Sequence, residues 1–180
     1  CASVTKTFTG ASIMLRCQAG LLDINDIITS PIPGSAEPYV PDSADYDILS
    51  KGAITIKMLL NHRAGVFDVS NSDIPADKPV PYAGQNYIEY VKDSPGGMQH
   101  TFTFDELVGV VAENGLQEFL PDTSYKYSNT GYSILGKIIE RVSGMTYEDF
   151  VRKNLLEPNH LNHTSLPHLA ADNTIPSPFE

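Results

Sequence analysis

The chain has 180 residues, of which 41% are hydrophobic and 19% charged; this is the usage of a chain with a real core, and it excludes a disordered tail or a repeat array. Its 12 Lys and Arg stand against 22 Asp and Glu, a net charge of −10, and no basic run concentrates positive charge, so no nucleic-acid partner is expected. No stretch approaches about 18 consecutive apolar residues, so no membrane span is expected.

At this length roughly 70% of the unfolded chain's surface is buried on folding, and residues 1–180 are expected to form one domain. The chain opens on Cys1 and shows no charged n-region followed by an apolar h-region. Processing or truncation is therefore expected to have removed the natural start.

In chain order, Val4, Phe8, Ala11, Ile13, Met14, Leu15 and Cys17 recur near helical spacing and predict a largely buried helix from Val4 to Cys17, with Gly20 as its stop. That helix would hold Cys1 and Cys17 roughly 21 Å apart at about 1.5 Å per residue, too far for a disulfide, which leaves Cys17 as a small buried hydrophobe. Ser30 to Pro41 holds four prolines with Gly34 and reads as a loop. Thr55 is placed to cap a short helix over IKMLLNH, closed by Gly65.

Asp68 to Gly97 is rich in Asp, Asn, Ser, Pro and Gly and reads as a long surface excursion with one helix inside it, near Tyr82, Tyr87 and Tyr90. Those three tyrosines either line an entrance or cover a core edge. Thr103 with Asp105 and Glu106 signals a helix over FDELVGVVAEN. Asn129 or Thr130 is placed to cap the next, whose stripe Ile134, Leu135, Ile138, Ile139 and Val142 ends at Gly144. Thr146 and Asp149 resemble a capping box for a last helix that Pro158 ends, and the final NTIPSPFE reads as an open end.

Ser3 and Lys6 lie three apart at the start of the first helix, which puts their Cβ atoms about 5–6 Å apart on one face. A serine hydroxyl is a poor nucleophile until a neighbouring base takes its proton, and a lysine can serve as that base when desolvation lowers its pKa. The helix N-terminus adds free N–H groups and a partial positive charge. Ser-x-x-Lys alone is a weak signal, since chance supplies on the order of one match in a chain this long. His62, at the end of an apolar helix, reads as a hydrogen-bonded structural histidine. The spacing of His160, His163 and His168 fits no tight metal site and has no acidic partner nearby, so no metal is expected.

Four segments in order, ASVTKTFTGASIMLRCQAGLLDINDII, ITIKMLLNHRAGVFD, KYSNTGYSILGKIIERVSGMTYEDFVRKNLLEP and LNHTSLP, resemble the serine β-lactamase and penicillin-binding-protein superfamily. The likeness is to the branch with class C β-lactamases, D-alanyl-D-alanine carboxypeptidases, D-aminopeptidases and esterases. It implies an α/β (α+β) β-lactamase/transpeptidase-like fold, of which this chain supplies mainly the helical region. It also implies Ser3 as the acylated nucleophile, Lys6 and Tyr127 as proton-handling catalytic partners, and Asn129 as the substrate-binding amide. A cationic Lys6 beside Tyr127 would favour the phenolate.

The implied activity is hydrolysis of an amide, lactam or ester through an acyl-enzyme, with no cofactor. The implied substrate is a small molecule or peptide: a D-amino-acid peptide, a β-lactam or an ester. Relatives usually act outside the cytoplasm, so a periplasmic or secreted location is expected. The superfamily's third motif, a Lys or His, then Thr or Ser, then Gly, is not found: HTF at 100 and HTS at 163 lack the glycine. The flanking sheet strands are missing with it, and the chain reads as a fragment. NHRAG at 61–65 stands where relatives tend to have Thr-Ser-Gly, a structural variation. Two other readings remain open: a non-catalytic module that binds a peptide or cell-wall fragment in the same cleft, and a structural helical module in which Ser3 and Tyr127 never meet.

Overall fold

The stripe Ile134, Leu135, Ile138 and Ile139 is wholly buried and forms the centre of the molecule. Burying four such side chains contributes about 1.5–3 kcal/mol each relative to exposure, enough to organise neighbouring elements around one helix. In this computed structural model, which describes residues 2–166, six α-helices follow one another: α1 (Thr5–Gln18), α2 (Ile56–Leu60), α3 (Tyr87–Asp93), α4 (Phe104–Glu113), α5 (Asn129–Ser143) and α6 (Tyr147–Val151). Helix α5 carries the stripe and packs against α1, α2, α4 and α6. Among the described residues there is no β-strand, only isolated antiparallel bridges such as Ile27 with Thr55 and Val66 with Gln117.

Local chemistry sets most helix ends. The Thr55 hydroxyl accepts from the Met58 amide at 3.2 Å, and Thr103 forms a full capping box with Glu106. Thr146 accepts from the Asp149 amide at 3.3 Å, and Gly144 closes α5 in the left-handed conformation. The last predicted helix stops being α-helical at Val151 and continues as a π-helical turn over Arg152–Leu156.

Three expectations are corrected. The first α-helix begins at Thr5, after a 3-10 turn over Ala2–Val4, and it is not largely buried: Val4 and Met14 are exposed. What α1 buries is partly polar, Thr9 and Ser12 beside Ile13, and these hydroxyls stay satisfied by bonding the carbonyls one turn back. Helix α5 is capped by Ser128, whose Oγ accepts from the Gly131 amide at 3.0 Å, because the Asn129 side chain is engaged elsewhere. The Asp68 to Gly97 stretch is not only a surface excursion. It places Asp68, Val69, Ile74, Tyr82 and Asn86 in the interior, with α3 capped by Asn86. Cys17 packs half-buried against the core, while Cys1, on which the pairing expectation depends, lies outside the described residues.

The loop from His62 to Val66 pairs along the segment that leads into α5. Lys126 donates its amide to the His62 carbonyl at 3.1 Å, Asp122 to Arg63 at 2.8 Å and Glu118 to Gly65 at 2.9 Å. Gly65 has φ +72°, and a Cβ there would lie 1.9 Å from the Phe119 carbonyl oxygen. Gly20 has a similar φ of +69° with nothing within 4 Å. Gly20→Ala should therefore cost about 1 kcal/mol from backbone strain alone, whereas Gly65→Ala should cost about 3–5 kcal/mol, measured by chemical denaturation. Equal losses would mean that the approach of the two backbones is not what requires glycine.

Candidate active site

Two helix starts meet at the surface. The turn before α1 presents Ser3, and one turn on Lys6 follows; opposite them stand Tyr127, one residue before the Ser128 cap, and Asn129, the first residue of α5. The Tyr127 hydroxyl donates to Ser3 Oγ at 2.8 Å, across 124 residues of sequence. Lys6 Nζ donates to Asn129 Oδ1 and lies 4.8 Å from the Tyr127 ring centre and 5.4 Å from that of Tyr132. All four residues singled out in the sequence are thus brought together. The reading in which Ser3 and Tyr127 never meet is removed by their 2.8 Å contact.

Tyr127 is aimed by what surrounds it. The His62 ring lies 4.5 Å from its ring centre and 5.1 Å from that of Tyr132, filling the space between them. His62 Nδ1 accepts from the Ser128 amide at 3.2 Å, which puts the proton of the neutral ring on Nε2. His62 itself has φ +56°, and Tyr132 ties α5 to the end of α2 by donating to the Leu60 carbonyl at 3.1 Å. The histidine is hydrogen-bonded, as its sequence context suggested, and its ring packs against Tyr127.

The electrostatics follow from one cation and one anion. Burial by itself would raise the Tyr127 phenol, but hydrogen bonding with Lys6 and Ser3 and the charge of Lys6 outweigh it and hold the phenol below its ordinary value, with Asp68 opposing. Burial first, then Lys6, hold the His62 imidazole below its usual value, again with Asp68 opposing.

Asp68 is the member of this group that sequence reading missed. It is 2% exposed, and its Oδ2 accepts from Asn129 Nδ2 at 3.2 Å. The signal was an acidic residue inside the apolar run Val66, Phe67, Val69, since a charge in such a run is buried only when it is partnered.

The remaining candidates lie apart. Tyr82, Tyr87 and Tyr90 form one ring cluster over α4, with Tyr87 donating to Glu106 at 2.8 Å and Tyr82 accepting from Asn114 at 3.2 Å, so they cover a core edge there. Among the described residues no three His, Cys, Asp or Glu side chains converge as metal ligands, and His168 lies outside those residues. No helix of the described residues is long and apolar enough to cross a membrane.

The family model for Beta-lactamase matches residues 1–174. The chain belongs to the Beta-lactamase family. It is 30% identical over 165 residues to penicillin-binding protein 4* of Bacillus subtilis, an overlap that covers 91% of this chain and 29% of that protein. Among solved structures it resembles a D-stereospecific amidohydrolase from Streptomyces sp., with 32% identity, a TM-score of 0.64, and coverage of 92% of this chain and 43% of the other. It has the fold of the D-amino acid amidase of Ochrobactrum anthropi crystallised with L-phenylalanine amide, at 23% identity and a TM-score of 0.63, covering 92% of this chain and 36% of that one. The chain thus has the β-lactamase/transpeptidase-type fold, and it spans less than a third of the length of the curated relative and less than half of each solved one.

Two measurements check these electrostatics. In an ultraviolet difference titration Tyr127 should ionise below the ordinary tyrosine value of about 10, Tyr127→Phe should remove that early component, and Lys6→Met should move it upward. His62, held neutral in the fold, takes a proton more readily once unfolded, so stability is present above the unfolded value of 6.5 and falls as pH drops below it. His62→Asn, which tolerates the positive φ, should flatten that acid-side loss in a melting-temperature series. An unchanged slope would count against a neutral His62.

Proposed function

We propose that this family member is a serine acyl hydrolase in which Ser3 is the nucleophile, Lys6 and Tyr127 handle the proton, and Asn129 orients the substrate. The observation that carries the reading is the 2.8 Å contact between the Tyr127 hydroxyl and Ser3 Oγ, with the Lys6 ammonium against the same phenol. A phenol held below its ordinary value by an adjacent cation ionises more readily and can then serve as the base that accepts a serine proton.

The steps follow from that geometry. Tyr127, as phenolate, takes the Ser3 proton while Oγ bonds to the substrate carbonyl carbon. The tetrahedral adduct collapses, its C–N or C–O bond breaks, and Tyr127 returns the proton to the leaving nitrogen or oxygen. Water then attacks the acyl-serine carbonyl and gives its proton to Tyr127; the bond from carbon to Ser3 Oγ breaks, Tyr127 passes that proton to Oγ, and the carboxylic acid leaves. Lys6 stabilises whichever anion, phenolate or tetrahedral oxygen, stands beside it, and so governs how readily Tyr127 takes up and returns the proton.

The substrate class proposed is an amide, lactam or ester of small-molecule or short-peptide size. The reading is supported by family membership and by the amidohydrolase and penicillin-binding names of the relatives. A periplasmic or secreted location is part of the same proposal.

The test is intact-mass analysis after a fluorophosphonate and, separately, a fluorescent penicillin, on this chain and on the protein in its longest natural form. One covalent adduct that disappears in Ser3→Ala is expected, and Tyr127→Phe should slow its formation by about 10²–10⁴-fold. An adduct that survives Ser3→Ala would assign the nucleophile elsewhere. No adduct on either form would favour a non-catalytic binding module.

A further inference from the structure

Asp68 is buried behind the residues assigned above to chemistry, and its carboxylate is held by three donors. Its Oδ1 accepts from the Ser70 amide at 3.0 Å, and its Oδ2 from Asn71 Nδ2 at 2.8 Å and Asn129 Nδ2 at 3.2 Å. The next residue docks on the same helix start, with the Val69 amide donating to the wholly buried Thr130 Oγ1 at 3.2 Å. The carboxylate is therefore held from its own loop and presented to the first turn of α5.

Asn129 sits between two opposite charges. Its Oδ1 accepts from the Lys6 ammonium and its Nδ2 donates to the Asp68 carboxylate. Turning the amide over would place N–H against ammonium and carbonyl oxygen against carboxylate, two repulsions in place of two charge-assisted hydrogen bonds. Only the observed orientation offers Lys6 an acceptor from Asn129. A carboxylate in direct contact with Lys6 would pull the ammonium off the ring, whereas an amide one residue thick keeps the two charges apart.

We infer that Asp68 is a positioning residue for the reaction proposed above, on which this inference rests: it locks the Asn129 amide with Oδ1 toward Lys6 and thereby holds the ammonium against Tyr127. Asp68 touches neither Ser3 nor Tyr127 in a hydrogen bond and acts through Asn129. Its charge also opposes that of Lys6 at the phenol. The groups that face Tyr127 from the surrounding elements are Ser3 and Lys6 from the α1 end, His62 from the loop after α2, Asp68 from its own loop and Tyr132 from α5.

The test compares the rate of fluorophosphonate labelling against pH for wild type, Asp68→Asn and Ser3→Ala, using the protein in its longest natural form. Asp68→Asn keeps the shape and an acceptor for the loop amides but removes the charge that fixes the Asn129 amide. Labelling should slow by about tenfold, the scale of one charge-assisted hydrogen bond. The rise of rate with pH, which follows Tyr127 ionisation, should move to higher pH, because an ammonium no longer held against the ring lowers the phenol less, and this outweighs the loss of the smaller opposing Asp68 charge. A purely structural Asp68 would lower the folded fraction and leave the rate per folded molecule in place, with the rise moved only toward lower pH by the lost charge.

A wild-type rate per folded molecule, or a rise that stays in place or moves to lower pH, overturns the inference. Should Asp68→Asn fail to fold, Asn71→Ala decides: this exposed side chain holds the same Oδ2, and about threefold slowing supports the inference while a wild-type rate overturns it. Labelling of Ser3→Ala at the wild-type rate removes the hydrolase reading itself, and the inference with it, whatever Asp68→Asn does.

Discussion

Lys6 reaches Asn129 across 123 residues and lies over the rings of Tyr127 and Tyr132, so one ammonium joins the start of α1 to the start of α5. Around it stand two phenols and an amide, and the Asp68 carboxylate lies on the other side of that Asn129 amide. That spacing decides the electrostatics. Lys6 lowers both Tyr127 and His62, Asp68 raises both, and the balance leaves a phenol poised to ionise beside a serine.

This arrangement is held by backbone more than by the four residues that carry it. The loop from His62 to Val66 runs against the segment up to Lys126, bonded through three backbone amides, and Gly65 permits the approach to Phe119. An ion pair between Arg63 and Asp122, at 2.6 Å, sits on the exposed side of the same pairing, where it adds alignment and little stability. His62, at the head of that loop, then accepts the Ser128 amide and stacks on Tyr127. The side chain that meets Ser3 is therefore positioned from a loop some sixty residues earlier in the chain, and α5 supplies a rigid base because its apolar stripe has no solvent-facing alternative.

Polar burial is the other recurring device. Thr9, Ser12, Thr130 and Asp68 are all interior, and each is satisfied: the first two by carbonyls of their own helix, Thr130 by the Val69 amide, Asp68 by one backbone and two side-chain donors. Thr9 also shares a hydrogen bond of 2.7 Å with Tyr147, which ties α1 to α6. Such pairings fix register between helices, because a slip of one residue would strand each group without a partner.

The sequence by itself determined the helices and where most of them begin and end, since capping hydroxyls at Thr55, Thr103 and Thr146 and the stop at Gly144 act on their own neighbours within three or four residues. It also carried the four candidate site residues, though through the resemblance to the serine β-lactamase superfamily, since a serine and a lysine one turn apart are by themselves a weak signal. Tertiary structure alone decided that Ser3 and Lys6 meet Tyr127 and Asn129, that Val4 just before α1 and Met14 within it turn outward, and that a loop rich in turn formers sends Asp68 and Val69 inward. It also moved the α5 cap to Ser128, by drawing the Asn129 amide into a bond with a lysine from the far end of the chain. The division has one physical cause: caps and turns are settled by atoms a few residues apart, whereas burial of a charge or hydroxyl depends on partners that only folding brings within hydrogen-bond reach.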